Sequence, residues 1–414
     1  DVHLGNGRVI KSSDVDAALK ASSSVPYDTT AELRAACAAS AKRFSRAAKT
    51  SPPLGTSSHR SKLRTEGLVY LGPAWPGDCG WQRLAWHAQI GRAFTLRSMR
   101  KKELIASNGV VDAVNEKRML QALGSFGDTT KHVSAMVGST SDASWVHMLL
   151  DCQAMIPLHD LYSEDASAYG LKLQRSLSNE GERGRRLSET EALYYTASCV
   201  LALGQIHGFG ILIRGISPHR IFLSPNGSLQ LASCFKYAKH MPGRTYTLCG
   251  DAEYMSPEQI EGSGHGLSTD WWALGVLAFE MIVGRTPFGG DDCTELEIYK
   301  NITTYRDPSD LKWADGVGSA ECRAFVGNLL RRTVSERVDA VRAYKDPWFV
   351  KGGVVWSKIA KAEDTFTKKG DKVPLRKALS ETMEAWKVSS GVISKDEGGV
   401  VEMDEEVEDL FSEF

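Results

Sequence analysis

The sequence predicts an α+β chain in two lobes, a small β-rich lobe followed by a larger, mainly helical one. Two features lead there. Gly67–Leu71, Gln82–Ile90 and Arg92–Arg97 are short strand-like segments punctuated by Gly and Pro, whereas after Asp151 apolar residues recur at helical spacing. The composition is that of a folded chain: 414 residues, 42% hydrophobic, 50 Lys and Arg against 51 Asp and Glu, enough for two or three compact units. A net charge of −1 gives no general attraction to nucleic acid.

Residues 1–65 form a basic, Ala/Ser-rich arm, with eight Lys or Arg against one acid between Ala31 and Thr65. Thr29 and Glu32 make a capping box, and Leu33, Cys37, Ala41, Phe44 and Ala48 follow at helical spacing, so one amphipathic helix is expected before Pro52 and Pro53. Both a solvated arm and docking on an acidic partner fit this pattern. Residues 66–151 are the small lobe. After its first three strands come a helix over Val110–Leu123, with Asn108 as its cap, and two strands near Val133–Val137 and Trp145–Leu150. Residues 152–350 are the large lobe, with helices over Glu189–Ile206, Thr269–Val283, Glu295–Ile302 and Ala320–Arg331. Ser188 with Glu191 is a second capping box. The polar stretch 162–186 is expected to be a surface insertion.

The apolar run Trp271–Gly284 is interrupted by Glu280 and too short to span a bilayer, so it is expected to be a buried core helix. Residues 351–414 are a tail. Its last 19 residues carry nine acids and no base, and it ends on Phe411 and Phe414, an aromatic pair suited to a docking pocket. The eight cysteines show no C-x-x-C and no zinc spacing, which implies reduced thiols and no metal centre. The chain opens on Asp1 rather than Met, so import into an organelle stays open beside a cytoplasmic or cytoskeletal setting.

Three stretches carry the specific signal: Thr245–Glu258 (TYTLCGDAEYMSPE), Thr269–Met281 (TDWWALGVLAFEM) and Asn115–Ala122 (NEKRMLQA). Together they resemble the AGC protein kinases, most closely the catalytic subunit of cAMP-dependent protein kinase. The resemblance runs from about Gly67 to Val350 and includes the terminal Phe-Ser-Glu-Phe. It implies a bilobal protein-kinase-like fold in which Asn115–Ala122 belongs to the one regulatory helix of the small lobe.

That family needs a Gly-rich loop, a Lys–Glu pair, a catalytic Asp and two metal ligands, because phosphoryl transfer is done by positioning and charge neutralisation. Here Gly77 and Gly80 match the last two loop glycines, Trp75 stands at the first, and Gln82 replaces a Val. Arg97 matches the strand Lys and Glu116 its helix partner; with Gly77 and Gly80 they are what is left of a nucleotide site, and the resemblance leaves Arg97 either in a bidentate salt bridge to Glu116 or as a phosphate ligand. The catalytic loop reads Ile213–Arg220 (IRGISPHR) against the family's Tyr-Arg-Asp-Leu-Lys-Pro-Glu-Asn. Gly215 therefore stands for the catalytic Asp and Arg220 for the metal-binding Asn. Ser233 stands for the Asp of the Asp-Phe-Gly triplet, with Cys234 and Phe235 after it. Thr95, Leu150 and Phe222 replace or match residues around the nucleotide base. Losing a general base alone costs roughly 10²–10⁴ in rate, and here both metal ligands are gone as well.

The resemblance also implies a phosphorylation site at Thr247 facing Arg214. It further implies a docking surface formed by Tyr246, Leu248, Glu253 and Glu280, and tail docking through Phe411 and Phe414. Pro157 and His219 stand where two acids receive substrate arginines. Glu258 is expected to pair with Arg337, and Asp270 to cap the catalytic-loop backbone. Leu120, Met136, Ile213 and Cys234 are expected to form an apolar column between the lobes.

The functional expectation is a pseudokinase, with no cofactor, that serves as a structural or scaffolding subunit among protein partners in a larger assembly. Two alternatives remain. One is an unconventional serine/threonine kinase or nucleotide-binding switch with little or no magnesium dependence. The other is a decoy that captures a cyclic-nucleotide-dependent regulatory subunit.

Overall fold

The computed structural model describes residues 68–87, 92–125, 131–154, 156–161, 186–241, 243–290, 293–362 and 381–383, with Val2–His3 and Val9–Ile10. The chain divides into two units, Asp1–Arg60 and Ser61–Phe414. In the first, Val2–His3 pairs antiparallel with Val9–Ile10. The helix expected after Thr29, most of the 162–186 insertion, and Phe411 and Phe414 lie outside the described residues.

The second unit opens with a five-stranded antiparallel sheet. Its spatial order is Leu68–Gly77, Gly80–His87, Arg92–Arg100, Trp145–Leu150, Met136–Ser141. The first strand runs six residues beyond the expected Leu71. It crosses a bulge between Leu71 and Ala74, where Gly72 takes φ 65°, a left-handed conformation that favours glycine. Gly77 faces Gly80 across a two-residue turn, so Asp78 and Cys79 form the hairpin tip. On one face of the sheet Leu68, Ala85, Phe94, Leu96 and Leu149 form an apolar cluster, with Tyr70 and Trp81 packed at its edge.

A short helix, Lys101–Ala106, precedes the expected one, which spans Val110–Ser125. The position of Asn108 is a correction to the sequence reading. It takes φ 53° and ends the short helix instead of capping the next. Its N–H bonds to Ile105 O (3.1 Å) and that of Gly109 to Leu104 O (2.8 Å), the paired bonds of a Schellman ending.

The large lobe is built around Ser268–Val283, in which every residue from Thr269 to Ile282 is buried. The apolar run does lie in a core helix, which ends at Gly284 in left-handed conformation. Gly275 lets the neighbouring helix Ala320–Leu329 approach: a Cβ there would lie 2.9 Å from the Leu329 side chain. Glu189–Gly208 begins with the Ser188–Glu191 capping box, both reciprocal bonds being made. Two small sheets belong to the large lobe. One joins Leu229–Gln230, Phe222–Leu223 and Ile156–Pro157; the other pairs Lys239–His240 with Ile211–Leu212. Among the described residues no helix is long and apolar enough to cross a membrane. The seven described cysteines are all unbridged.

Candidate functional site

The site lies where the hairpin tip, the segment Ile213–Arg220 and the residues after Leu231 converge. Its backbone is positioned from below by Asp270 of the core helix. That carboxylate accepts from the N–H groups of Ile213 (2.9 Å) and Arg214 (2.7 Å) and lies 2.8 Å from His207 Nε2. Arg214 is thereby held at φ 57°, and Gly215 follows it against the next chain segment. A Cβ on Gly215 would run into the carbonyl oxygen of Cys234 and lie 3.1 Å from its carbonyl carbon. The position therefore lacks a side chain and also lacks room for one.

Arg220 is the centre of charge. Its Nη1 donates to Asp78 Oδ2 (2.9 Å) at the hairpin tip. Its Nε and Nη2 grip Asp251 at 3.3 and 3.1 Å. Lys236 Nζ lies 3.0 Å from the same Asp78 oxygen, and both cations sit over the Tyr237 ring. Partial burial pushes the Asp78 carboxyl up, but Arg220 and Lys236 outweigh it and hold the group down at about 2. Burial likewise raises Asp251, and Arg220 more than reverses that. Burial works against charge on Arg220 too, yet Asp251 and Asp78 together keep its proton bound more tightly than usual.

Ser233 Oγ donates to Gln82 Oε1 (2.8 Å), a second contact between the hairpin and the large lobe. Thr95, fully buried, uses its hydroxyl on the segment joining the lobes: it donates to Cys152 O (3.0 Å) and accepts from Ala154 N (2.9 Å). Arg97 pairs with Glu116 in the interior, but through Nη1 and Oε1 alone. Oε2 has no partner, so the bidentate bridge expected from sequence is corrected to a single contact. Burial raises the Glu116 carboxyl, with Arg97 opposing. Gly77 lies at the hairpin turn, and Gly80 is required there because a Cβ would come within 3.0 Å of the Ser98 backbone. Leu120, Ile213 and Cys234 are buried, and Met136 is half-buried.

The remaining site residues do not gather on one face. Tyr246 and Leu248 are 66% and 52% exposed, whereas Glu280 is buried and accepts from the Tyr254 hydroxyl. Glu253 is half-buried against Thr286 (3.0 Å). Of these four only Tyr246 and Leu248 present open surface, because the two carboxylates are engaged by Tyr254 and Thr286. Thr247 is exposed; Arg214 reaches its backbone carbonyl (3.4 Å) while holding Tyr237 O. His219, in place of an acid, stacks on His159 at 4.0 Å. Glu258 and Arg337 form a bidentate buried pair at 2.6 and 3.1 Å, with Arg337 also over the Trp272 ring.

Sequence reasoning missed Asp78, Asp251 and Lys236 as site residues. The signal was Arg220 itself: an arginine at a position inside a cleft requires carboxylates around it.

Residues 76–349 match the protein kinase domain family. A "cAMP-dependent protein kinase, catalytic subunit-like" protein of Caenorhabditis briggsae is 31% identical over 248 residues, 59% of this chain and 56% of that protein. "cAMP-dependent protein kinase type 3" of Saccharomyces cerevisiae is 28% identical over 274 residues, 65% and 60% of the two chains. The human "cAMP-dependent protein kinase catalytic subunit PRKX" is 42% identical over 133 residues, 32% and 35%. The chain spans little more than half the length of the first two relatives.

Proposed function

The chain belongs to the protein kinase domain family, and on that premise we propose that it is a catalytically inactive member, a pseudokinase acting as a structural or scaffolding subunit through protein contacts. The observation that carries this reading is Gly215. At the position where the family places its proton-accepting carboxylate there is no side chain, and the Cys234 carbonyl fills the space one would need.

The residues present do not fit a magnesium–nucleotide complex. A guanidinium has no lone pair for a metal ion, and Arg220 is already bonded to two carboxylates. Magnesium is ordinarily held by one or two carboxylates beside phosphate oxygens, and Ser233 offers a hydroxyl committed to Gln82. Thr95 takes backbone groups of the segment joining the lobes. With the base and both ligands displaced, the roughly 1–100 s⁻¹ turnover of active kinases has no apparatus behind it.

The test is a phosphoryl-transfer assay on the purified chain with labelled nucleotide, magnesium or manganese, and serine and threonine peptides. The expected result is no transfer above background. In parallel, ATP or ADP should leave the melting temperature unchanged, whereas a ligand at 100 times its Kd would stabilise the fold by about 2.7 kcal/mol. Transfer that disappears on Arg97→Ala overturns the proposal.

A second reading, capture of a cyclic-nucleotide-binding regulatory subunit, draws on the exposed Tyr246 and Leu248. Pull-down with such a subunit, abolished by Leu248→Arg, is its expected signature.

A further inference from the structure

The hairpin tip places a carboxylate where two cations from the large lobe can reach it. Asp78 is one of only two residues in the turn between Gly77 and Gly80, so its position is set by the sheet and not by a long loop. It is separated from Arg220 by 142 residues, yet the two lie 2.9 Å apart, and Lys236 is at 3.0 Å. Arg220 does not float: Asp251 fixes it from the other side, and Tyr237 stacks under both cations. A second bond, Ser233 to Gln82, joins the same strand pair to the same segment of the large lobe.

We propose that Asp78 is a built-in anion that holds the two lobes together through Arg220 and Lys236, so that the cleft is closed without any bound ligand. The physical reason is charge balance. Arg220, Lys236, Asp78 and Asp251 are two cations and two anions, partly withdrawn from water, and removing either carboxylate leaves a cation underpaired. Bonds between charged groups are about twice as strong as neutral ones, and here they join the hairpin tip to the large lobe. The latch is separate from the proposed loss of activity, because it is read without nucleotide and would hold equally in a chain that transferred phosphate.

The test is hydrogen–deuterium exchange on the full chain without nucleotide, following residues 76–84 and 248–253. Asp78→Asn keeps the size and removes the charge. Exchange in both segments should rise at least about threefold, the effect of losing one charge-assisted bond. Arg220→Gln should do the same, and the double variant should fall well short of the sum of the two, since both break the Arg220–Asp78 bond. Should Arg220→Gln fail to fold, Lys236→Met replaces it, raising exchange in the intact chain but not on top of Asp78→Asn. Unchanged exchange in Asp78→Asn, or effects that simply add, overturns the latch.

Discussion

Gly215 illustrates how one side chain's absence is fixed by its neighbours. Restoring a carboxylate by Gly215→Asp is expected to fail twice: it should produce no phosphoryl transfer, and it should lower stability by about 1–3 kcal/mol, because the new Cβ meets a backbone carbonyl that has to move. Thermal and denaturant unfolding of the variant check this; a stable, active Gly215→Asp chain would refute it. The Glu258–Arg337 pair, 79 residues apart, belongs to the same scale. Burial raises the Glu258 carboxyl, but Arg337 overrides that and holds it below its ordinary value. Glu258→Ala strands a fully buried guanidinium and is expected to cost about 3–5 kcal/mol in urea unfolding. Glu258 is legible because the motif that ends on it is specific, and Arg337 follows only from what the resemblance implies. The single-contact geometry of Arg97 and Glu116 is not legible, since residue identity does not fix which oxygen is reached.

Elements were read best where their signals are local. Ser188 and Glu191 lie three residues apart, and the box they form is present in the structure. Ser188→Ala should therefore cost about 1 kcal/mol, seen as a lower midpoint in denaturant with an unchanged slope. The short helix Lys101–Ala106 escaped notice because six residues are too few to show a periodic apolar face. Its Schellman ending then took Asn108, a residue that reads equally well as a helix start. The sequence signal of the first strand stops at Leu71 because Gly72 and Pro73 look like a terminator, although the structure absorbs them in a bulge and continues to Gly77. At Gly275 contact across helices decides: Gly275→Val should destabilise by about 1–3 kcal/mol, measured the same way, since its side chain would enter Leu329 and Leu330.

At the scale of the whole molecule, five histidines among the described residues have their affinity for a proton lowered by burial: His132, His147, His219, His240 and His265. His265 falls from its ordinary 6.5 to about 4, with Arg214 adding to the effect of burial. The unfolded chain thus binds more protons than the folded one in this range. Stability is full above about pH 6.5 and is lost as the pH falls toward 4. Buried Glu116 and half-buried Asp346, whose carboxyls are raised, oppose this over part of the range but are outnumbered. Melting temperatures from pH 8 to 4 should be level at first and then decline from about 6.5; a flat profile down to pH 5 would contradict the assignment. His132 ties this to architecture, because its ring lies between the carbonyls of Leu229 (2.8 Å) and Ile359 (2.7 Å), joining three distant parts of the chain.

The sequence alone determined the order of the longer strands and helices, the position of the apolar core helix and the kinase resemblance, because periodicity, capping and motif spacing are written over a few neighbouring residues. Only the tertiary structure decided that Gly215 has no room for a side chain, that Glu280 is withdrawn from the surface and that Arg220 is matched by Asp78 and Asp251. Those outcomes depend on segments up to 142 residues apart being pressed together, and space and charge balance at such a junction belong to the packed chain, not to any one stretch of it.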